Sequence, residues 1–505
     1  MTNQLRVCFY LLVFFTVFNF TSSIMSSGYT VGTLGGSNEI STYSVTFFGL
    51  GNACTFPIGN ELGRRFGVLQ ILFFFLIFFC ITLYLCGAAP NYLFFVLSRF
   101  LSGVASGVFF PLCIGKINEH VSKEQHHSIF AFLGLLITVT PVIAACFGGW
   151  VAYDLEWQWI FYSQIPILVI VGYIIYIHKT PHIMEQVIPF NKTGYFFYLI
   201  SSGATVTGIS LGEQLDWFRS PLISSLLVIA VICLIFFILW EWDHKNPIFD
   251  LQLFKIPVFF LCILCLVALF SAYFGMVLML SLWLRIVANY TPIWISLIIV
   301  HMALAGTLLF IFLKKWLQQV ASLWVVLIAV FFFAYSCFYS SGFNVEVDFK
   351  RLAIARTLSG FGLAFFLFPL LHICLNSVDK TKVTQGFILF QSSRLLAGSL
   401  GCAVYTTIWF RRRIFYHDRL VEQLTPYSKL TRQFFEKVSF YVTPGLESNQ
   451  LLEKALSEQS DVLAIADCFY LMGWVMVGIA LIISSHLILT YFKKSPDLIT
   501  SSEES

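Results

Sequence analysis

The chain has 505 residues, of which 58% are hydrophobic and only 11% charged, with a net charge of +4. Soluble domains carry about 25% charged residues, and a mean hydropathy of +0.83 leaves too little polar surface for a water-facing globule. Lipid must therefore solvate much of the chain, and the mild positive balance, spread in short clusters between apolar runs, gives no reason to invoke nucleic acid.

A helix needs about 20 apolar residues to cross the hydrocarbon layer. Runs of that kind occupy residues 7–27, 42–59, 68–89, 92–115, 128–153, 157–177, 194–211, 221–241, 257–284, 291–313, 320–340, 352–376, 386–409 and 466–492, which makes fourteen. The expected fold class is thus an all-α membrane protein. The first run also has the grammar of a signal peptide, with Arg6, an apolar stretch and small residues from Ser22 to Gly28. Asn19 interrupts it and the apolar run continues past that point, so it is read as a span.

Within that span Asn19, Thr21, Ser22 and Ser23 form a polar stripe. The second span leads into a basic turn at Arg64, Arg65 and Gly67. In the fourth, Arg99 is a charge deep in the membrane, where it costs at least ~2.5 kcal/mol and should face the bundle interior with a partner. Gly103 and Gly107 follow on the same helical face and let another helix approach closely. Arg99 could serve substrate or proton coupling, or tie two helices together. The fifth span carries Pro141, Gly148 and Gly149, which make it kinked and smooth-faced.

Further along, His301, His372 and His486 are the only titratable candidates deep in spans, and no Asp or Glu lies near the centre of any. Arg356 sits about one turn inside the twelfth span and could snorkel outward. Arg394 lies with Gln391, Ser392 and Ser393 in a polar patch of the thirteenth. Thirteen cysteines, mostly within apolar runs and without metal-binding spacing, read as small buried hydrophobes. No catalytic constellation, metal site or cofactor is implied.

Lysine and arginine set the orientation. With a cytoplasmic N-terminus, inner segments hold fifteen basic residues and the short outer loops only Arg219, Arg285, Lys350 and Arg351. Both termini are then cytoplasmic. A long outer segment, 411–465, has eight basic and seven acidic residues and lies beyond the reach of that rule.

Arg99-Phe-Leu-Ser-Gly103 is echoed by Arg356-Thr-Leu-Ser-Gly360, each followed by Phe-Pro-Leu, at Pro111 and Pro369. Two duplicated membrane halves would produce such an echo. The stretch from Val45 to Gly67, with Asn52 and Pro57, resembles the second helix and following loop of the major facilitator superfamily. Arg99 to Pro111, Pro141 to Gly149, Trp157-Gln-Trp159-Ile-Phe, Leu215-Asp-Trp-Phe218, Phe249-Asp-Leu-Gln-Leu-Phe-Lys255 and Ser393-Arg394-Leu-Leu-Ala-Gly follow in matching order. Together they look closest to the fourteen-span drug:proton antiporters of the EmrB/QacA type.

The resemblance implies two six-helix bundles with two inserted helices. The expected division is 1–178, 179–249 as linker and inserted pair, 250–409, the outer loop 410–465, the last helix 466–492 and a tail 493–505. It implies efflux of amphipathic small molecules or drugs across a bacterial inner membrane, proton coupling, and a periplasmic adaptor protein met by the outer loop. Candidate substrate and coupling residues are Arg99, Asn19, Asn52, Arg394, Arg356 and His301. Arg64, Arg65, Gly67, Gly103, Gly107, Pro141, Gly148 and Gly149 are candidate conformational residues. The family's helix-one acid falls on Asn19, which cannot titrate, and Ala144-Ala145 replace its Gly-Pro. Those departures keep a dedicated exporter or importer of one metabolite or siderophore open, with a sensor or a membrane enzyme further off.

Overall fold

Hydrocarbon offers the backbone no hydrogen-bond partners, so apolar runs of this length must close their own bonds as helices. The computed structural model describes residues 2–119, 123–179, 190–319, 322–425, 427–438 and 446–500. The expected linker stretch 180–189, parts of the outer loop at 426 and 439–445, and the tail end 501–505 lie outside the described residues. So do the side chains of Lys123, Lys314, Lys315, Lys493 and Lys494, which contributed to the orientation reading.

The first helices are α1 (Asn3–Thr33), α2 (Tyr43–Thr55), α3 (Gly59–Phe66), α4 (Val68–Gly87), α5 (Tyr92–Gly107), α6 (Phe109–Glu119), α7 (Lys123–Asp154), α8 (Trp159–Tyr162) and α9 (Ile165–Ile177). A short pair, α10 (Lys192–Gly212) and α11 (Pro221–Trp242), comes next. Then follow α12 (Pro257–Ile286), α13 (Pro292–Gln319), α14 (Leu323–Ser340), α15 (Phe349–Asn376), α16 (Val383–Glu422), α17 (Lys429–Val438) and α18 (Leu446–Thr500). Local chemistry sets several starts. Asn91 caps α5 by accepting from the Phe94 amide at 2.9 Å, Asn191 caps α10 through the Gly194 amide at 3.0 Å, and proline opens α11, α12 and α13.

Eleven helices among the described residues are long and apolar enough to cross a membrane. The other three of the fourteen expected spans fall on α2 with α3, on α7 and on α10. The second span is broken at Pro57, where a 3₁₀ turn (Phe56–Ile58) separates α2 from α3. The fourth divides at Val108 into α5 and α6.

Two sets of helices pack mainly among themselves. α1 packs on α7, α6 and α9, α2 on α5, and α4 on α5 and α9; α12 packs on α16, α13 and α14 on α15, and α18 on α14 and α16. One apolar cluster lies within the first set, and the other centres on the second and takes in Ile24, Met25, Val45 and Ala145 of the first. The sets meet through α7 against α13, α2 against α16, and α1 against α12. The inserted helix α10 lies along the α2–α16 seam, donating from Tyr195 and Tyr198 hydroxyls to the Cys54 and Ala53 carbonyls at 3.0 Å each.

Contacts between loop segments gather at the two ends of the helices. Thr2 meets His178 at 3.2 Å and Lys382 meets Asp250 at 2.6 Å at one end. Tyr92 bonds the Ile40 carbonyl at 2.7 Å, Tyr290 the Val347 carbonyl at 3.2 Å, and Arg411 bonds Glu213 at 3.0 Å at the other. The described residues of the expected outer segment are largely helical: α16 continues to Glu422 and α18 begins at Leu446, so both project about 20–30 Å past their expected spans. Asp467 joins them, accepting from Arg412 Nε at 2.6 Å and the Tyr416 hydroxyl at 2.7 Å, and His417 meets Glu453 at 2.9 Å.

Candidate functional site

The site is built where the first helices of the two sets face each other. Arg99, on α5, is fully buried. Its guanidinium donates to Asn19 Oδ1 on α1 and lies over the Phe48 ring of α2 at 4.3 Å and the Phe161 ring of α8 at 5.6 Å. Nε and one terminal nitrogen have no partner, nor has Asn19 Nδ2. A buried guanidinium held by one amide and two aromatic faces is well positioned but under-satisfied, the condition of a group that can accept an anion.

Close helix approach makes this possible. A Cβ at Gly107 would stand 2.7 Å from the Asn52 carbonyl, and one at Gly103 would overlap the Phe48 carbonyl. α2 therefore lies against α5, and Asn52 donates to Ser106 Oγ at 3.2 Å while Thr55 donates to the Val104 carbonyl at 2.9 Å. Asn52 thus works at the α2–α5 contact.

From Arg99 a path of rings crosses between the two sets. Phe48 meets Phe20 at 5.9 Å, Phe20 meets Phe274 on α12 edge-on at 5.0 Å, and Phe274 meets Phe270 at 5.7 Å. Arg394 lies over Phe270 at 5.3 Å and donates from Nε to Gln391 Oε1 at 2.7 Å. Midway along a membrane-length helix, Arg394 is nevertheless partly accessible, as are Tyr273, Phe274 and Phe20. An accessible cation with an aromatic shelf suits a ligand that is apolar with a polar or charged end.

Arg356 does not snorkel. It is 1% exposed and donates to Ser340 Oγ at 2.5 Å, with Nε and the other terminal nitrogen unpartnered. Its surroundings, α14 and Phe469 on α18, lie inside the second set and away from the ring path. His301 is half-exposed and bonds the Leu297 carbonyl of its own helix at 2.6 Å, so the structure does not bring it to Arg99 or Arg394.

The conformational candidates fall at helix contacts. Gly67 has φ +89°, a left-handed geometry that favours glycine, and it ends α3 and starts α4. Arg65 Nε reaches Glu61 at 2.6 Å while Arg64 is exposed beside it. Pro141 lies inside α7. A Cβ at Gly148 would stand 2.8 Å from the Ser22 carbonyl of α1, and one at Gly149 2.8 Å from the Pro292 carbonyl of α13. α7 thus contacts both sets through bare backbone. A further joint pairs Gly49 with Ser399, whose hydroxyl donates to the Thr46 carbonyl at 2.8 Å.

A model of the Major Facilitator Superfamily matches residues 7–402. The chain belongs to this superfamily. Among similar members, the multidrug export protein EmrB of Haemophilus influenzae is 26% identical over 490 residues, covering 96% of this chain and 94% of that protein. EmrB of Escherichia coli K12 is 25% identical over 489 residues, with the same coverage. The fatty acid resistance protein FarB of Neisseria gonorrhoeae is 26% identical over 460 residues and 91% of both chains. A solved POT family transporter in complex with 5-aminolevulinic acid shares the fold with a TM-score of 0.64 at 12% identity, over 95% of both chains. This major facilitator protein is accordingly a multi-pass membrane protein and a secondary transporter, with relatives and fold that are those of transporters.

Sequence reasoning missed three features. The ring path could not be singled out among 56 phenylalanines. Glu241, at the end of α11, is 1% exposed; its Oε1 accepts from Asn191 at 2.5 Å and its Oε2 from the Ile248 and Phe249 amides at 2.7 and 3.2 Å. Its position beside the Phe249-Asp250 block was the available signal. Arg285, counted only as an outer-loop charge, lies over Tyr29 at 4.3 Å and fills the space a Cβ on Gly28 would need.

Proposed function

We propose that the chain exports amphipathic small molecules bearing a negative charge from the cytoplasm across a bacterial cytoplasmic membrane. Two six-helix bundles, 1–178 and 250–409 completed by 466–492, rock about a site between them, with both termini cytoplasmic and the inserted pair within 179–249. The observation that carries this reading is the accessible Arg394 above an aromatic path that ends on the under-satisfied Arg99. The arginines would hold the charged end and the rings the apolar body.

The glycine contacts of α7 support its role as the sliding joint, and Gly67 with Arg64 and Arg65 supports an inner clamp. The paired extensions of α16 and α18 offer a docking surface for a periplasmic adaptor. Proton coupling of the family's kind would need a carrier other than Asn19.

The test is a drug-susceptibility panel in an efflux-deficient bacterium. The native chain should raise tolerance to amphipathic acids, and Arg99→Ala should remove that protection at equal membrane abundance. Protection undiminished by Arg99→Ala would reject the assigned site.

A further inference from the structure

We infer that the substrate's own negative charge, falling through the membrane potential, drives export, with no proton carried by the protein. This rests on the anion-export reading above. The fourteen apolar runs contain only two acidic residues, Glu241 and Asp467, both at run ends. Glu241 has both oxygens occupied by the Asn191 side chain and two backbone amides. Asp467 is held by Arg412 and Tyr416 at the outer end. Neither faces the ring path.

Among the described residues, the ionisable side chains beside the arginines are thiols and phenols. Cys86 and Tyr92 lie beside Arg99, and Tyr273 packs on Phe270 and Phe274 next to Arg394. Thiols and phenols ordinarily lose protons near pH 8.5 and 10. His301 bonds its own helix, His372 is exposed beside Asn376 at 3.1 Å, and His486 lies near the inner end of the last span. The arginines keep their charge throughout. Across a cycle the charge that changes sides is therefore the ligand's. An interior-negative potential expels it, with a concentration ratio of roughly 50-fold per 100 mV, the equivalent of ~2.3 kcal/mol per charge.

The test uses the purified full chain in proteoliposomes with a fluorescent naphthalene sulfonate, an anion ionised at every accessible pH and so unable to carry a proton. A potassium gradient with valinomycin sets the potential, and buffers set a pH difference independently. Movement toward the positive side under potential alone, with no movement under a pH difference alone, is the expected result. Flux driven by, or dependent on, the pH difference would overturn the inference while leaving anion export intact. Flux no greater than in protein-free vesicles under either gradient would overturn both.

Discussion

Gly107→Ala tests the helix apposition on which the site depends. The new Cβ would stand 2.7 Å from the Asn52 carbonyl oxygen and 3.2 Å from Asn52 Cα, and it would overlap Thr55 Oγ1. An ordinary carbon–oxygen contact is about 3.3 Å, so α2 must retreat by about 0.6 Å here. Asn52 Nδ2 would then sit beyond hydrogen-bond reach of Ser106, now 3.2 Å away, and the Thr55 hydroxyl would leave the Val104 carbonyl, now 2.9 Å away. Two buried bonds at about 0.6 kcal/mol each within a membrane plus about 1–2 kcal/mol of overpacking strain give a loss of roughly 2–3 kcal/mol. At ~2.1 cal/mol/K per residue, that lowers Tm in detergent by roughly 2–3 °C. Gly478→Ala is the control, because nothing lies within 4 Å of a Cβ there. Equal Tm for native and Gly107→Ala protein would refute the reasoning.

Asn19→Asp should place a carboxylate against Arg99 and compete with an anionic ligand, cutting cellular efflux of an amphipathic sulfonate at least tenfold; unchanged efflux would separate Arg99 from the ligand. Gly28→Val should push Arg285 off Tyr29 and prevent outer closure. A membrane-impermeant thiol reagent should then label Ser26→Cys faster from outside than in the Gly28 background. Ser340→Ala removes the hydroxyl that accepts from the buried Arg356 and should cost about 1–3 kcal/mol in thermal stability. Lys382→Gln, at a pair with Lys382 42% exposed, should cost under about 1 kcal/mol.

The membrane class and the arginine pair were legible because hydrocarbon punishes charge: a buried Arg99 can be inferred from one letter in an apolar run. Gly103 and Gly107 followed from helical spacing alone, and they do meet α2. Arg356 was misjudged as a snorkelling candidate because depth along a helix does not say which neighbours surround it; Ser340 and Phe469 come from distant segments. The ring path was illegible for the same reason, since Phe20 and Phe274 meet only through tertiary folding. The expected spans at α2 with α3 and at α10 fall short of membrane length or apolarity, because helices shielded by neighbours can carry glycine, serine and breaks that lipid-facing ones cannot.

Arg394 decides the matter most directly, since it is the partly accessible cation at the end of the ring path. Efflux of a fluorescent naphthalene sulfonate from cells should be abolished by Arg394→Gln and partly kept by Arg394→Lys, at matched membrane abundance. Full efflux with glutamine at that position would contradict an anion site on this aromatic shelf.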